Sequence, residues 1–226
     1  MDWRDKVFIY CERGLDPAFW AEPLNALSNG AFIIAALLAF RHLTTRRDID
    51  HGADVWVMAT LVLIIGIGSF LFHTFAERWA ELADVLPITV FILAFLVLAL
   101  RTLAGAPWWL TGVLVIGFLG LSQWIGGIRC GGGSCLNGSV AYLPAFLALG
   151  TFAPLTSLKR HPAAKWLWAG LVVFAVSLTF RTIDMPYCPQ LSMGSRAIGT
   201  HFLWHILNGT LLYLLLRALM ARPARR

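Results

Sequence analysis

Seven long apolar runs constrain this chain more than any other feature: approximately Leu24–Phe40, Val55–Phe72, Leu82–Leu100, Trp108–Ile125, Val140–Leu155, Trp166–Phe180 and Ile198–Met220. Most reach or approach the ~20 residues that, at about 1.5 Å of rise each, cross a hydrocarbon core of ~30 Å. The alternation that a membrane barrel needs is absent, which excludes strands as spanning elements. The fifth and sixth runs are the shortest and leave a re-entrant path open. Composition agrees with the runs. Charged residues make up 13% of the chain and apolar residues 58%, whereas a soluble domain needs roughly 25% charged residues to cover itself. The first run begins too far in, and lacks the flanks and cleavage site, to read as a removable signal peptide. Trp20, Trp108, Trp109, Trp166 and Trp168 sit at run ends, where indole rings favour the membrane interface. The expectation is an all-α polytopic membrane protein, one seven-helix bundle over residues 1–226.

Seven spans put the two termini on opposite sides. The N-terminal side carries Arg4, Lys6, Arg13, Arg78, Arg129, Arg181 and Arg196. The other side carries Arg41, Arg46, Arg47, Arg101, Lys159, Arg160, Lys165, Arg217, Arg222, Arg225 and Arg226. Positive charge prefers the cytoplasm, so the N-terminus is expected outside and the C-terminus inside. The basic tail then serves topology, and no nucleic-acid partner is implied by the net charge of +6. An alanine- and arginine-rich chain suggests a bacterial source, hence the inner membrane. Cys11, Cys130, Cys135 and Cys188 all fall on the expected outer side, which suits an oxidising compartment. Cys130 and Cys135, separated by glycines and a serine, suit a short local bridge, leaving Cys11 for Cys188. Other pairings, free thiols or a metal site also satisfy the spacing.

Ionisable residues at membrane depth are costly and therefore candidates for function. His42, His51 and His161 fall in loops on the cytoplasmic side and need only solvation. His73 closes the second run, and His201 and His205 lie in the first turns of the seventh. The last two are four apart, on one helical face, close enough to share one tetrahedral ion. His73 reaches the same depth on the same side. Three imidazoles with one open position are the ligand set of a catalytic zinc. Ser69 precedes His73 by one turn, and Asp84 opens the third run in the same outer layer. Each has a plainer reading: Ser69 as a hydroxyl bonding its own helix, Asp84 as a helix cap, the histidines as interhelical hydrogen bonders. Their convergence at one depth favours a site.

Glu12 after Cys11, Asn25-x-x-Ser28-Asn29, Ser69-x-x-x-His73, Asp84-x-x-Pro87 and His201-x-x-x-His205 together resemble the alkaline ceramidases. These belong to a wider superfamily of heptahelical membrane hydrolases that includes the adiponectin receptors. The resemblance covers nearly the whole chain, in order. It implies zinc on His73, His201 and His205, catalytic roles for Ser69 and Asp84, and a Cys11–Cys188 disulfide. The implied reaction is hydrolysis of a ceramide to a sphingoid base and a fatty acid by water activated on zinc. Asp84 would move the proton and Ser69 would donate to the oxyanion. The substrate would be a lipid arriving sideways from the bilayer. Gly66 and Gly68 before Ser69 would leave room for a chain or, more simply, allow close helix packing.

Animal members of that family are similar in having a calcium site, whose acidic ligands match Glu12 and Glu22 and whose carbonyl matches Tyr10. Ile9 and Gly14 stand where an aspartate and an asparagine are expected. Calcium takes six to eight oxygens, so Asp16 or water would have to complete the set. The alternative is that Glu12 and Glu22 hold the N-terminal segment through Arg13 or backbone amides. Other functions compete with hydrolysis. A lipid-sensing receptor of the adiponectin-receptor kind would share the polar residues but is expected in the opposite orientation. A transporter needs a charged path across the bilayer, and the cytoplasmic halves of the spans lack carboxylates. A retinal pump needs a lysine in the seventh span, and Lys6, Lys159 and Lys165 all lie elsewhere.

Overall fold

The computed structural model describes residues 2–45, 52–131, 133–193 and 196–221. Arg46, Arg47, His51, Gly132, Arg222, Arg225 and Arg226, which entered the charge, histidine and loop assignments, lie outside the described residues. Helices α1 (Pro23–Ser28) and α2 (Gly30–Thr45) make the first span and α3 (Ala53–Phe75) the second. The third is α4 (Arg78–Leu98), prolonged by a π-helical segment at Ala99–Ala104, and the fourth is α5 (Trp108–Gly126). A 3-10 segment, Cys135–Tyr142, leads into α6 (Leu143–Leu158), and α7 (Ala164–Ile183) and α8 (His201–Met220) complete the set. Among the described residues, seven helices are thus long and apolar enough to cross a membrane. The chain is an integral, multi-pass membrane protein. The fifth and sixth runs, shortest by hydropathy, belong to helical stretches of 24 and 20 residues, long enough to cross outright.

The distribution of side chains is that of a protein solvated by lipid. Leu37, Ile67, Val113, Ile116 and Val172 are exposed on span surfaces, while Asn25, Asn29, Ser69, His73, Asp84, Ser177, His201 and His205 are buried. Hydrocarbon accepts the former and offers the latter no hydrogen bonds, so polar groups turn inward. Helix α3 packs on α4 and α2; α8 packs on α7 and α2; α6 packs on α7. Helix α5 buries only Thr111 and Ile125 along its length and lies at the edge of the bundle.

Two glycines just before Ser69 set close helix approaches. A Cβ on Gly68 would meet the Ala83 carbonyl oxygen at 2.0 Å, and one on Gly66 would meet Phe32 Cβ at 2.9 Å. Both glycines therefore serve helix packing. Pro87 inside α4 has no N–H to offer Ala83, its i−4 residue, and it is this carbonyl that faces Gly68. The contact draws α3 against α4 at the level of Ser69 and Asp84. Helix α4 begins at Arg78, one turn before its apolar run, because its first turn carries Arg78 and Glu81. Asp84 accordingly lies in the second turn of α4 and is not its cap.

Residues 2–22 fold over the end of the bundle where α3 finishes and α8 begins. The Val7 amide donates to the Ala76 carbonyl, the Trp79 amide to Trp3, and Lys6 Nζ to Phe75. Cys11 is disulfide-bonded to Cys188, in the loop between α7 and α8. Cys130 and Cys135 close the connection between α5 and α6 across a hairpin of β1 (Arg129–Cys130) and β2 (Gly133–Ser134). A second hairpin, β3 (Ser192–Met193) with β4 (Arg196–Ala197), precedes α8. No cysteine is left free.

Candidate metal centre

His73 lies in the last turn of α3, His201 opens α8, and His205 follows one turn later. The start of α8 is set by Asp184. One of its oxygens accepts from the amides of Thr200 at 2.7 Å and His201 at 3.0 Å, and the other from the Cys11 amide at 3.0 Å. A carboxylate on the free amides of a helix start is a strong, directional anchor. Gly199 enters this turn at φ +66°, and a Cβ there would lie 2.3 Å from Asp184 Oδ1. The α8 histidines are thereby brought against α3. Ring centroids lie 5.3 Å apart for His73 and His201, and 4.6 Å apart for His205 with either one. One ring nitrogen from each falls within 4.8 Å of the others.

Neighbours fix two of the three tautomers. His73 Nδ1 lies 2.6 Å from Glu22 Oε2. Glu22 also accepts from Asn25 Nδ2 and from Arg13 Nε. A carboxylate so supplied with donors accepts, so Nδ1 of His73 carries the proton and Nε2 presents a lone pair. That Nε2 is buried without any hydrogen-bond partner. The Ser28 hydroxyl directs its proton to the Asn25 carbonyl at 2.9 Å and lies 2.8 Å from His205 Nδ1. It therefore accepts from His205, again leaving Nε2 as the free base. Neutral imidazoles oriented through their second nitrogen are what a transition-metal ligand requires. His201 is stacked under Tyr10 at a centroid distance of 3.8 Å. The donor set fits a metal ion such as zinc.

Ser69 and Asp84 open on the same cavity as Tyr10, His201 and His205. The Ser69 hydroxyl lies beside the Asp84 carboxylate, whereas Thr74 on the same helix bonds back to Phe70 and Leu71. Asp84 Oδ1 is buried and has no hydrogen-bond partner. Below these groups the cavity becomes apolar, walled by Phe91, Phe95, Leu149, Phe152, Phe174 and Leu211. The residues singled out on sequence for zinc and catalysis are thus assembled at one polar end of an otherwise apolar chamber.

The residues expected to bind calcium are assembled differently. Glu12 spends both carboxylate oxygens on the amides of Leu24 and Asn25, each at 2.8 Å, and so anchors the start of α1. Glu22 is committed to Arg13, Asn25 and His73. The Tyr10 carbonyl accepts from the Gly14 amide, and Tyr10 meets the site through its ring. Of these groups Arg13 meets Glu22. Its guanidinium is buried, pairs with Glu22, and donates to the carbonyls of Asp16, Ala18, His73 and Thr74. This is a cradle of oxygens around a cation, and the cation is a side chain. The residues present do not fit calcium. Burial pushes the Glu12 carboxyl up, against the pull of the Asn25 and Leu24 amides. Burial alone would do the same to Glu22, but His73, Asn25 and Arg13 hold it below the usual carboxylate range.

A family model described as ceramidase matches residues 10–222. The chain belongs to the ceramidase family. No curated protein matches it individually. Membership of the ceramidase family brings hydrolase activity and a lipid substrate with it, and it agrees with the membrane-spanning architecture. Within this ceramidase fold, sequence reasoning assigned no role to Ser28, Arg181 or Asp184. Ser28 stands inside the Asn25-x-x-Ser28-Asn29 motif, and Asp184 is a carboxylate just past the sixth run; both were visible as polar residues near membrane depth. Nothing local marks either as a partner of a histidine ligand or of its helix, because both contacts are made between spans.

Proposed function

We propose that this ceramidase-family protein is a zinc-dependent amide hydrolase that cleaves ceramide, or a closely related lipid amide, to a sphingoid base and a free fatty acid. The observation that carries this reading is the cluster of His73, His201 and His205 beside Ser69 and Asp84 at the polar end of an apolar chamber. His73, His201 and His205 would hold the zinc, with Glu22 and Ser28 orienting two of them. Zinc so held supplies Lewis acidity and hydroxide at neutral pH.

The remaining work falls to side chains of this chain. Asp84 takes the proton of the attacking water at its unpartnered oxygen. It then delivers that proton to the amide nitrogen as the C–N bond breaks and the new C–O bond is complete. Ser69 donates a hydrogen bond from its hydroxyl to the carbonyl oxygen as negative charge gathers there. Phe91, Phe95 and Phe174 hold the hydrocarbon below and keep bulk water from the reacting amide. The site faces away from the cytoplasm in this proposal, supported by the excess of Lys and Arg at the opposite end and by both disulfides at the histidine end. In a bacterium this is the outer side of the inner membrane.

The test uses the purified full chain in lipid nanodiscs, given an N-acyl sphingoid substrate with and without a zinc chelator. Release of fatty acid and sphingoid base should be lost with the chelator and return with zinc. Saturable lipid binding without turnover by the zinc-loaded protein would instead favour the receptor reading.

A further inference from the structure

Alongside Glu81, Arg181 is a charged cavity residue that the hydrolytic scheme leaves unused. It projects from the last turn of α7 into the same cavity as Ser69, Asp84, His201 and His205. Three aromatic rings surround its guanidinium carbon, at 5.9 Å for Tyr10, 5.4 Å for Tyr142 and 5.3 Å for Trp204. A guanidinium carries five N–H donors. Here Nη1 reaches the Tyr10 hydroxyl at 3.4 Å, and Nε is buried with no partner. Among the described residues no carboxylate lies within ion-pair distance of it. Asp84, on the same cavity, acts on it electrostatically without forming an ion pair.

Such a group is out of balance. Aromatic faces offset a part of the cost of a desolvated cation, but a buried charge without a counter-ion remains unfavourable. Arg13 in the same protein shows how the chain satisfies a guanidinium when its role is structural: one carboxylate and a ring of backbone carbonyls. Arg181 has neither. Its position is held from behind, since Asn137 Nδ2 donates to its carbonyl at 2.9 Å. The side chain lines the cavity, and its Nε has no partner. The Tyr10 ring lies between Arg181 and His201, stacked on the latter. A lipid whose amide rests at the histidines therefore brings the groups next to that amide to the guanidinium.

We infer that Arg181 is a ligand-binding residue that receives an oxyanion, a carboxylate or a phosphate, carried at the polar end of the bound lipid. The planar fork suits either anion in a bidentate pair. This deepens the lipid-amide reading and rests on it for the nature of the ligand. The oxyanion has two possible sources: an acidic headgroup on the substrate, or the carboxylate of the released fatty acid.

Equilibrium binding of dodecyl phosphate, dodecanoate and dodecanol to the full chain in neutral-lipid nanodiscs tests the inference without requiring turnover. Zinc content is measured on the same samples. Wild-type protein should bind both anions about 10- to 100-fold more tightly than the alcohol, the ordinary worth of hydrogen bonds to a charged group. Arg181→Met should lose that preference while keeping its zinc. Arg181→Lys, which keeps the charge without the fork, should retain part of it and covers the case in which the methionine variant does not fold. Turnover then separates the sources. Faster cleavage of a phosphate-headed lipid amide than of its hydroxyl-headed counterpart, abolished in Arg181→Met, assigns the anion to the headgroup. Equal cleavage of both, with inhibition by dodecanoate that disappears in Arg181→Met, assigns it to the product. An anion preference that persists in zinc-loaded Arg181→Met, or its absence in the wild type, overturns the inference. Preserved binding with no hydrolysis of any amide would sink the proposed reaction and leave this site standing.

Discussion

Replacing Glu22 by glutamine probes how far the metal centre depends on groups that never touch the metal. The side chain keeps its size and loses its charge. Three contacts change together: the one to His73 Nδ1 at 2.6 Å, the one to Asn25 Nδ2 at 2.9 Å, and the pairing with Arg13. The imidazole loses the carboxylate that raises its basicity and holds its tautomer, which ordinarily weakens a metal by about 10- to 100-fold. Arg13 loses its counter-ion while buried, and breaking a buried pair on one side costs about 3–5 kcal/mol. The lower end applies, because four backbone carbonyls still accept from the guanidinium. The expected result is therefore about 3 kcal/mol of lost stability together with the loss in zinc affinity. Chelator competition measures the second and denaturant unfolding of the zinc-free protein measures the first, so the two effects are read independently. The double variant Arg13→Met/Glu22→Gln should recover part of the stability, since no unpaired charge remains, and none of the zinc affinity. Wild-type zinc affinity in Glu22→Gln would refute the coupling of this carboxylate to the metal ligand.

Asp84→Asn should keep zinc and lose turnover by a factor on the order of 10²–10⁴, with Ser69→Ala losing about 10²–10³, in single-turnover hydrolysis; zinc loss in Asp84→Asn would make that residue a ligand. Calcium addition or removal at fixed zinc should leave the thermal midpoint unchanged, because Glu12 and Glu22 are already committed to the amides of α1, Arg13, Asn25 and His73; a clear stabilisation by calcium would contradict that assignment. Gly68→Ala should destabilise the protein by about 1–3 kcal/mol, as overpacking against an immovable backbone does, and should depress turnover by parting Ser69 from Asp84. Wild-type activity and stability in Gly68→Ala would show that α3 and α4 do not need this approach.

Much of the protein is legible in the order of its residues alone. Whether a run crosses a bilayer depends on its own length and polarity, so the seven spans emerge from hydropathy, with ends displaced by a few residues where polar or charged turns such as the first of α4 belong to the helix. The pairing of His201 with His205 is likewise local, since four residues make one turn. His73, Ser69 and Asp84 could be added because spans of known direction assign each residue a depth and a side, and few polar residues share the same one. Depth, however, says nothing about what stands next to what across the bundle. Only the tertiary structure decided that Asp184 caps the helix of His201, that Glu22 and Ser28 orient His73 and His205, and that Glu12 and Glu22 are spent on α1, Arg13, Asn25 and His73. The same holds for Arg181 and its rings. Those contacts join residues far apart along the chain, and their partners are chosen by helix rotation and by how closely glycines such as Gly68 and Gly199 let a neighbouring backbone or side chain approach, quantities that no single segment carries.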